Sequence, residues 1–372
     1  MPGIATAMAE IMSLNATISE GSVMDREIRR RVWWSLYLSD MWCMIGQGLH
    51  SQLNDFQVKM ELPMNDTTFM SLNTEQTAIT GPLENGIWAQ MMTLVPLFEP
   101  IHNINLLIAN GESHTIELDQ QVEQLGQKLE DWKQQLPNDA QMSQENLHRQ
   151  QKRGLGGLLI SIHLAYHHFS TLLYFRYLEV RQPASATDHT YIARCKTHAS
   201  SFSYLLSLSR QFKGCDVVHA TIGHMATVSS SVLVHALLFG ELDELEAVRQ
   251  ELNSNFEALT DLAQYWPATS NMVCGIHRRI ESDVCIPPSP HLLTRAQIES
   301  LIAFQDMCLL SSESGTHKID GWMLRFLTEH SLDIAAKKTQ LVPLKSNEDR
   351  EKMSLKAKEL ERQGRYPSFR NL

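Results

Sequence analysis

Apolar residues recur every three or four positions along most of this chain, which is the spacing of an amphipathic α-helix. The pattern predicts helices over these segments: residues 1–19, 25 to a break at Gly46 and Gly48, two pieces within 75–110, 122–136, 191–212, 242–266, 294–310 and 321–338. Residues 155–178 and 217–240 are apolar on nearly all sides, which predicts buried central helices. No strand-like alternation runs beyond a few residues. The chain is therefore predicted to be all-α, a large multi-helix array without a substantial β-sheet.

The helix that begins near Asp25 carries the most distinctive pattern. One side of it is predicted to hold six apolar residues: Ile28, Val32, Trp33, Leu36, Tyr37 and Met41. Asp40 falls among them, and a carboxylate there needs a hydrogen-bonding partner. At the amino end, Ile4, Met8, Ile11 and Met12 are predicted to share one side of the first helix. Two further predictions concern breaks at Pro96 and Pro100 and an exposed polar connection over 138–153.

Composition narrows the class of protein. The 372 residues carry a formal net charge of -10 and 43% hydrophobic residues, so the bulk surface does not favour nucleic-acid binding. The six cysteines form no C-x-x-C pair, and no secretory leader is evident; we expect reduced, mostly buried thiols in an intracellular protein. The two apolar runs are long enough to raise a membrane-spanning alternative. Three histidines with Arg176 in the first run, and the Ser and Thr content of the second, favour burial inside the protein instead.

No pattern predicts a catalytic, metal or cofactor site. His163 and His167 are four residues apart, as two zinc ligands on a helix can be, but no third ligand is near in the sequence, so buried structural histidines are favoured. The arginines at positions 26 and 29–31 invite a nucleic-acid interpretation. Intramolecular ion pairs and helix-end contacts are favoured, with Arg29 or Arg30 pairing with a buried carboxylate.

Residues 27–40, EIRRRVWWSLYLSD, followed by Gly48, Asp55 and Leu62-Pro63, resemble the middle regulatory domain of fungal zinc-cluster transcription factors. Residues 125–137 are similar to a helix that recurs in this family, with its Leu, Leu, Trp and Leu-Pro. The resemblance extends over about residues 1–280, although Leu49-His50 replaces a proline that usually follows the glycine. The motif positions that it marks, as structural or regulatory residues, are Arg29, Arg30, Arg31, Trp33, Trp34, Asp40 and Pro63.

The resemblance implies a nuclear, non-enzymatic transcription regulator that acts through other transcription factor subunits or coregulators, with a metabolic or biosynthetic gene set as its candidate target. It implies three regions: a regulatory domain over 1–280 that begins partway through the family's domain, a helical extension over 281–338, and an exposed charged tail over 339–372. Because the zinc cluster is absent from the sequence, no direct DNA binding is expected. The alternatives are a truncated product of a longer gene, a helical module that senses a small molecule, and an enzyme on a helical scaffold. The enzyme alternative lacks the aspartate-rich metal motif expected of terpene-cyclase-like bundles.

Overall fold

The computed structural model describes residues 2–14, 16, 21–47, 53, 60–78, 85–109, 116–178, 186–239 and 244–266. The α-helices in these ranges are α1 (Pro2–Ile11), α2 (Val23–Gln47), α3 (Asp66–Met70), α4 (Ile87–Leu94), α5 (Phe98–Ala109), α6 (Ile116–Gln134), α7 (Gln144–Lys152), α8 (Gly156–Tyr174), α9 (Ala186–Gln211), α10 (Ala220–Phe239) and α11 (Leu245–Ala263). Short 3₁₀ turns follow α4 and α8. Within the described ranges the β-structure is one antiparallel bridge between Met64 and Asn85. The all-α prediction is confirmed.

Helix α8 lies at the centre of the fold. It packs against α4, α5, α6, α7, α9 and α10, and nearly all of its side chains are buried. Its Ser and Thr hydroxyl groups tolerate burial because each donates a hydrogen bond to a carbonyl one turn earlier: Ser161 to Gly157, Ser170 to Tyr166 and Thr171 to His167. The predicted burial of this segment is confirmed.

Helices α9, α10 and α11 pack against one another as a three-helix group. Polar side chains meet at its centre: Ser203 and Ser229 lie 3.0 Å apart between hydroxyl oxygens, and Asn255 donates to Ser229 at 3.2 Å. Ser229 also donates to the carbonyl of Ala199. Thr227, Ser229 and Ser230 of α10 are buried and each donates a hydrogen bond to a backbone carbonyl, which agrees with the predicted burial of this segment. Among the described helices, none is both long and apolar enough to cross a membrane.

Prolines set the break between α4 and α5. Pro96 lies in the 3₁₀ turn Val95–Leu97, where the helix changes direction, so the predicted interruption is confirmed. Pro100 does not interrupt a helix, contrary to the prediction. It lies in the first turn of α5, where a backbone N–H has no helical acceptor.

Helix α6 packs within the molecule. The hydrophobic core contains its apolar stripe, Val122, Leu125, Leu129 and Trp132, and also Leu136 just beyond the end of the helix. The Trp132 indole stacks on Tyr166 and donates to Thr93 Oγ1 at 2.9 Å.

Two predictions were wrong, one for residues 138–153 and one for the first helix. Residues 138–153 are not simply an exposed connection, since α7 forms there behind the N-cap Ser143 and buries Asn146, Leu147 and Gln150. Asn146 is buried because its amide donates to the carbonyls of Asn138 and Gln141, at 2.6 and 2.8 Å. Helix α1 is shorter than predicted. It buries Thr6 and Ala9, whereas its predicted apolar side is exposed at Met8, Ile11 and Met12.

The predictions for residues 267–372 lie outside the described residues. They include the helices at 294–310 and 321–338 and the domain boundaries after residues 280 and 338, which stay predictions.

Candidate functional site

The buried face of α2 differs from the predicted one by a rotation about the helix axis. Trp33, Tyr37 and Met41 are buried as expected, with Asp40, and Trp34 is buried as well, but Ile28 and Val32 are 44% and 43% exposed. The physical reason is that residues 60–66 cover the side of α2 that carries Glu27 and Trp34. The i, i+4 pair Ile28 and Val32 therefore faces away from the segment that completes the core.

Glu27 is the centre of this site, and it was not among the site residues predicted from the sequence. Its side chain is fully buried and accepts hydrogen bonds from Arg30 Nη1, from Arg31 Nε at 2.9 Å and from the Met64 N–H at 3.0 Å. A buried carboxylate is stable only when it is paired and hydrogen-bonded in this way. The available signal was spacing, since Glu27 precedes Arg30 and Arg31 by three and four residues, on the same helix face.

Arg31 connects α2 to the segment before α3. Its guanidinium donates to Asp66 Oδ1 at 2.7 Å and to the Met64 carbonyl at 2.9 Å, and it lies 4.3 Å from the centroid of the Phe69 ring. Arg30 makes a second ion pair with Glu61, whose side chain is largely exposed. Both arginines therefore use their charge inside the molecule.

Arg26 and Arg29 bind backbone carbonyls rather than carboxylates. Arg29 Nη2 donates to the carbonyls of Met12 and Ser13, at 2.7 and 3.1 Å, where α1 has ended and carbonyls lack helical partners. Arg26 donates to the carbonyls of Gly21 and Thr77. These are the helix-end contacts and ion pairs that the sequence favoured over a nucleic-acid surface, although the buried carboxylate is Glu27.

The tryptophans, Asp40 and Pro63 complete the contacts. Trp34 donates its indole N–H to the Glu61 carbonyl at 3.0 Å and packs edge-on against Tyr37.

Asp40 is 4% exposed and accepts a hydrogen bond from the Leu53 N–H at 3.3 Å, which supplies the partner that its burial requires. Trp33 is buried in the core, and Pro63 is buried beside the Glu27 contacts. Burial, with the nearby Glu99 and Asp40, raises the pKa of the Tyr37 phenol.

We name this set of contacts the α2 network. Its members are Arg26, Arg29, Arg30, Arg31, Glu27, Trp34 and residues 60–66, which include Asp66. Most of its donors and acceptors are paired with one another, although the buried Arg30 Nε and Asp66 Oδ2 have no hydrogen-bonding partner. The network therefore forms a structural element rather than a reactive group. We see no nucleophile–base pair within it.

The histidines of α8 do not form the pair that their spacing suggested. His163 Nε2 lies 2.9 Å from the Ala140 carbonyl, whereas His167 Nδ1 lies 3.0 Å from His198 Nδ1 of α9. Burial lowers the pKa of both His163 and His167, which keeps the rings neutral. In the described ranges, no three His, Cys, Asp or Glu side chains come together as metal ligands do.

Comparison with known proteins identifies the region that contains the α2 network. Residues 3–134 match the family model "Fungal specific transcription factor domain". A relative in Saccharomyces cerevisiae (strain ATCC 204508 / S288c), transcriptional activator protein DAL81, is 25% identical over 126 residues. That alignment covers 31% of this chain and 13% of the relative. No solved structure matches the chain. The similarity to the fungal-specific transcription factor domain thus extends over residues 3–134, from α1 to the end of α6.

Proposed function

We propose that this chain regulates transcription in the nucleus, as the non-enzymatic regulatory part of a fungal zinc-cluster-type factor. The observation that carries the proposal is the family match over residues 3–134, which contains the whole α2 network. The relative DAL81 is named as a transcriptional activator, which supports the same proposal. Control of a metabolic or biosynthetic gene set belongs to the same proposal.

The proposed mode of action is contact with other transcription factor subunits or coregulators, without direct DNA binding by this chain. The charges of the described residues support this mode. Arg30 and Arg31 are held by Glu27, Glu61 and Asp66, which leaves them poorly placed to neutralise phosphates. The net charge of -10 also opposes binding to a polyanion.

A tethered-reporter experiment tests the function. The full chain is fused to an unrelated DNA-binding domain, and transcription of a reporter carrying its operator is compared with that of the DNA-binding domain alone. We expect a several-fold change in reporter output. Arg31→Ala should abolish this change, because it removes the ion pairs of Arg31 with Glu27 in the same helix and with Asp66 at the start of α3.

The matched control is Arg149→Ala, which removes a partly exposed ion pair with Glu145 on α7, outside the matched family region. It should leave reporter output unchanged at equal protein level. A nuclear fusion protein that changes nothing would contradict the proposal. Tight binding of promoter DNA by the purified chain would contradict the proposed mode of action.

A groove along α9 supports a second candidate function, the sensing of a small anionic metabolite. The groove has a volume of about 490 Å³ and is lined by His189, Thr190, Ala193, Arg194, Thr197 and His198. Arg194 donates to Tyr174 Oη at 3.2 Å, so its guanidinium is held at the groove with donors suited to a carboxylate or phosphate. Thermal unfolding with citrate, succinate and inorganic phosphate tests this. Stabilisation that disappears in Arg194→Gln would support the function, and its absence with all three anions would count against it.

A further inference from the structure

A second groove lies where α9, α10 and α11 meet. It has a volume of about 290 Å³, and its walls come from the end of α9, the connection before α10, and the end of α11. Its lining combines apolar side chains, among them Val217, Val218, Leu262 and the ring of Tyr265, with the polar side chains of Ser209, Arg210, Asp216, Asp261 and Gln264. We name this the α9–α11 groove.

Two aromatic residues stand at the end of α11, beside this groove. Tyr265 and Trp266 are 64% and 44% exposed, and Val218 opposite them is 43% exposed. The Trp266 indole is fixed in place because it donates to the Val218 carbonyl at 2.7 Å. Gln264 and Tyr265, which both line the groove, carry side-chain hydrogen-bond donors. Aromatic side chains with adjacent donors are the surface that binds a polyproline II segment, whose backbone carbonyls have no internal partners.

The chain itself supplies such a segment. The described residues end at Trp266, at the groove, and 106 further residues follow. They include Pro287-Pro288-Ser289-Pro290, in which two prolines stand three residues apart, as in a P-x-x-P ligand. Twenty residues separate Trp266 from Pro287. A 20-residue linker with random-coil dimensions would span roughly 25 Å on average, which is enough to return to the groove.

We propose that residues 287–290 dock into the α9–α11 groove of the same molecule in the polyproline II conformation. Tethering favours this occupant over a separate protein, because a short flexible linker gives an effective concentration on the order of 1 mM. A segment that binds with a dissociation constant of about 0.1 mM would then occupy the groove about 90% of the time. The proposal rests on the groove and the sequence, and it is independent of the transcriptional role.

Hydrogen–deuterium exchange on the full chain tests the docking. The variant carries Pro287→Ala, Pro288→Ala and Pro290→Ala together, and the readout is amide exchange in residues 212–222 and 258–266. We expect exchange there to become about tenfold faster, since an occupied groove is protected in proportion to its occupancy. Tyr265→Ala should give the same change, because it removes an exposed aromatic wall without opening the core.

The controls are Pro343→Ala, which alters a proline elsewhere in the C-terminal region, and Tyr204→Ala, which removes an exposed aromatic residue that does not line the groove. Neither should alter exchange at the groove. Unchanged exchange in the proline variant, with its circular dichroism spectrum intact, would overturn the proposal. Protection that depends on protein concentration would also overturn it, in favour of docking between two copies.

A synthetic peptide of residues 286–293, added to the full chain, gives a second measurement. It should bind the proline variant, whose groove is vacated, about tenfold more tightly than the wild type, whose groove is occupied. Equal binding to both proteins would show an open groove that serves another Pro-rich partner, and absence of binding to either would overturn the proposal.

Discussion

Glu27 has no exposed side-chain surface, yet it stabilises the contact between α2 and residues 60–66 through two arginines and a backbone N–H. Removing one member of a buried ion pair leaves the others desolvated without compensation, which costs more than the pair itself contributes. The contribution of this site to the free energy of unfolding therefore depends on the pairing of its charges and not on the number of its contacts.

Glu27→Gln should lower the free energy of unfolding by about 3 kcal/mol, because Arg30 and Arg31 lose their shared buried anion. Chemical denaturation followed by circular dichroism measures the loss. Glu61→Gln is the control, since the Glu61 side chain is 62% exposed and a pair of that kind contributes about 0.5 kcal/mol or less. Equal effects of the two substitutions would show that burial of Glu27 is not the source of stability.

The sequence predicted this site only in part. Arginine spacing and charge were sufficient to favour intramolecular partners for Arg29–Arg31. They did not identify Glu27 as the buried carboxylate, because a glutamate within a polar turn of a helix is normally a surface residue. Its burial is caused by Met64 and Asp66, which lie more than 35 residues away in the sequence and approach only in the folded chain.

At the scale of the helix, periodicity predicted where helices occur better than it predicted which side they bury. Helix α2 shows this, because its apolar residues fit two overlapping faces, and the covering segment decides between them. Helix α7 shows the opposite error, since a polar composition concealed a helix with a Ser143 cap and buried amides. Side-chain amides that bond backbone carbonyls are buried without contributing to an apolar pattern.

A close contact between α6 and α8 gives a prediction at this scale. A Cβ atom at Gly126 would lie 2.4 Å from Tyr174 Oη, and the Tyr174 ring is 3% exposed, with little room to move. Gly126→Ala should therefore destabilise the protein by about 1–3 kcal/mol through overpacking, despite the better helix propensity of alanine.

The double variant Gly126→Ala with Tyr174→Phe isolates the cause. Removing the hydroxyl leaves the nearest ring atom, Cζ, at 3.5 Å, an ordinary contact distance. The double variant should regain most of the lost stability in the same thermal unfolding assay. No recovery would locate the strain in the α6 backbone.

Across the whole molecule, burial of histidines around α8 links stability to pH. Burial lowers the pKa of His102, His198 and His235 from 6.5 to about 4. The unfolded chain takes up protons on these rings as pH falls below 6.5, while the folded protein resists until about pH 4. Their contribution to stability is therefore complete above pH 6.5 and is lost as pH falls from 6.5 to about 4.

We expect thermal unfolding to occur at a markedly lower temperature at pH 5 than at pH 7.5, because each such histidine costs about 2 kcal/mol at pH 5. His102→Gln should reduce that difference. His189→Gln, at an exposed ring on α9, serves as the control and should retain it. A pH dependence that is identical in wild type and His102→Gln would contradict the assignment.

The hydrogen-bonded centre of α9, α10 and α11 has a mechanical consequence. If one of these helices slid by a turn, Ser203, Ser229 and Asn255 would lose their partners and face aliphatic side chains, at a cost of about 1–3 kcal/mol for each unsatisfied group. Sliding of one helix along its axis is therefore opposed, while tilting the three helices together preserves every bond. We expect any displacement in this part of the protein to move the three helices as one body.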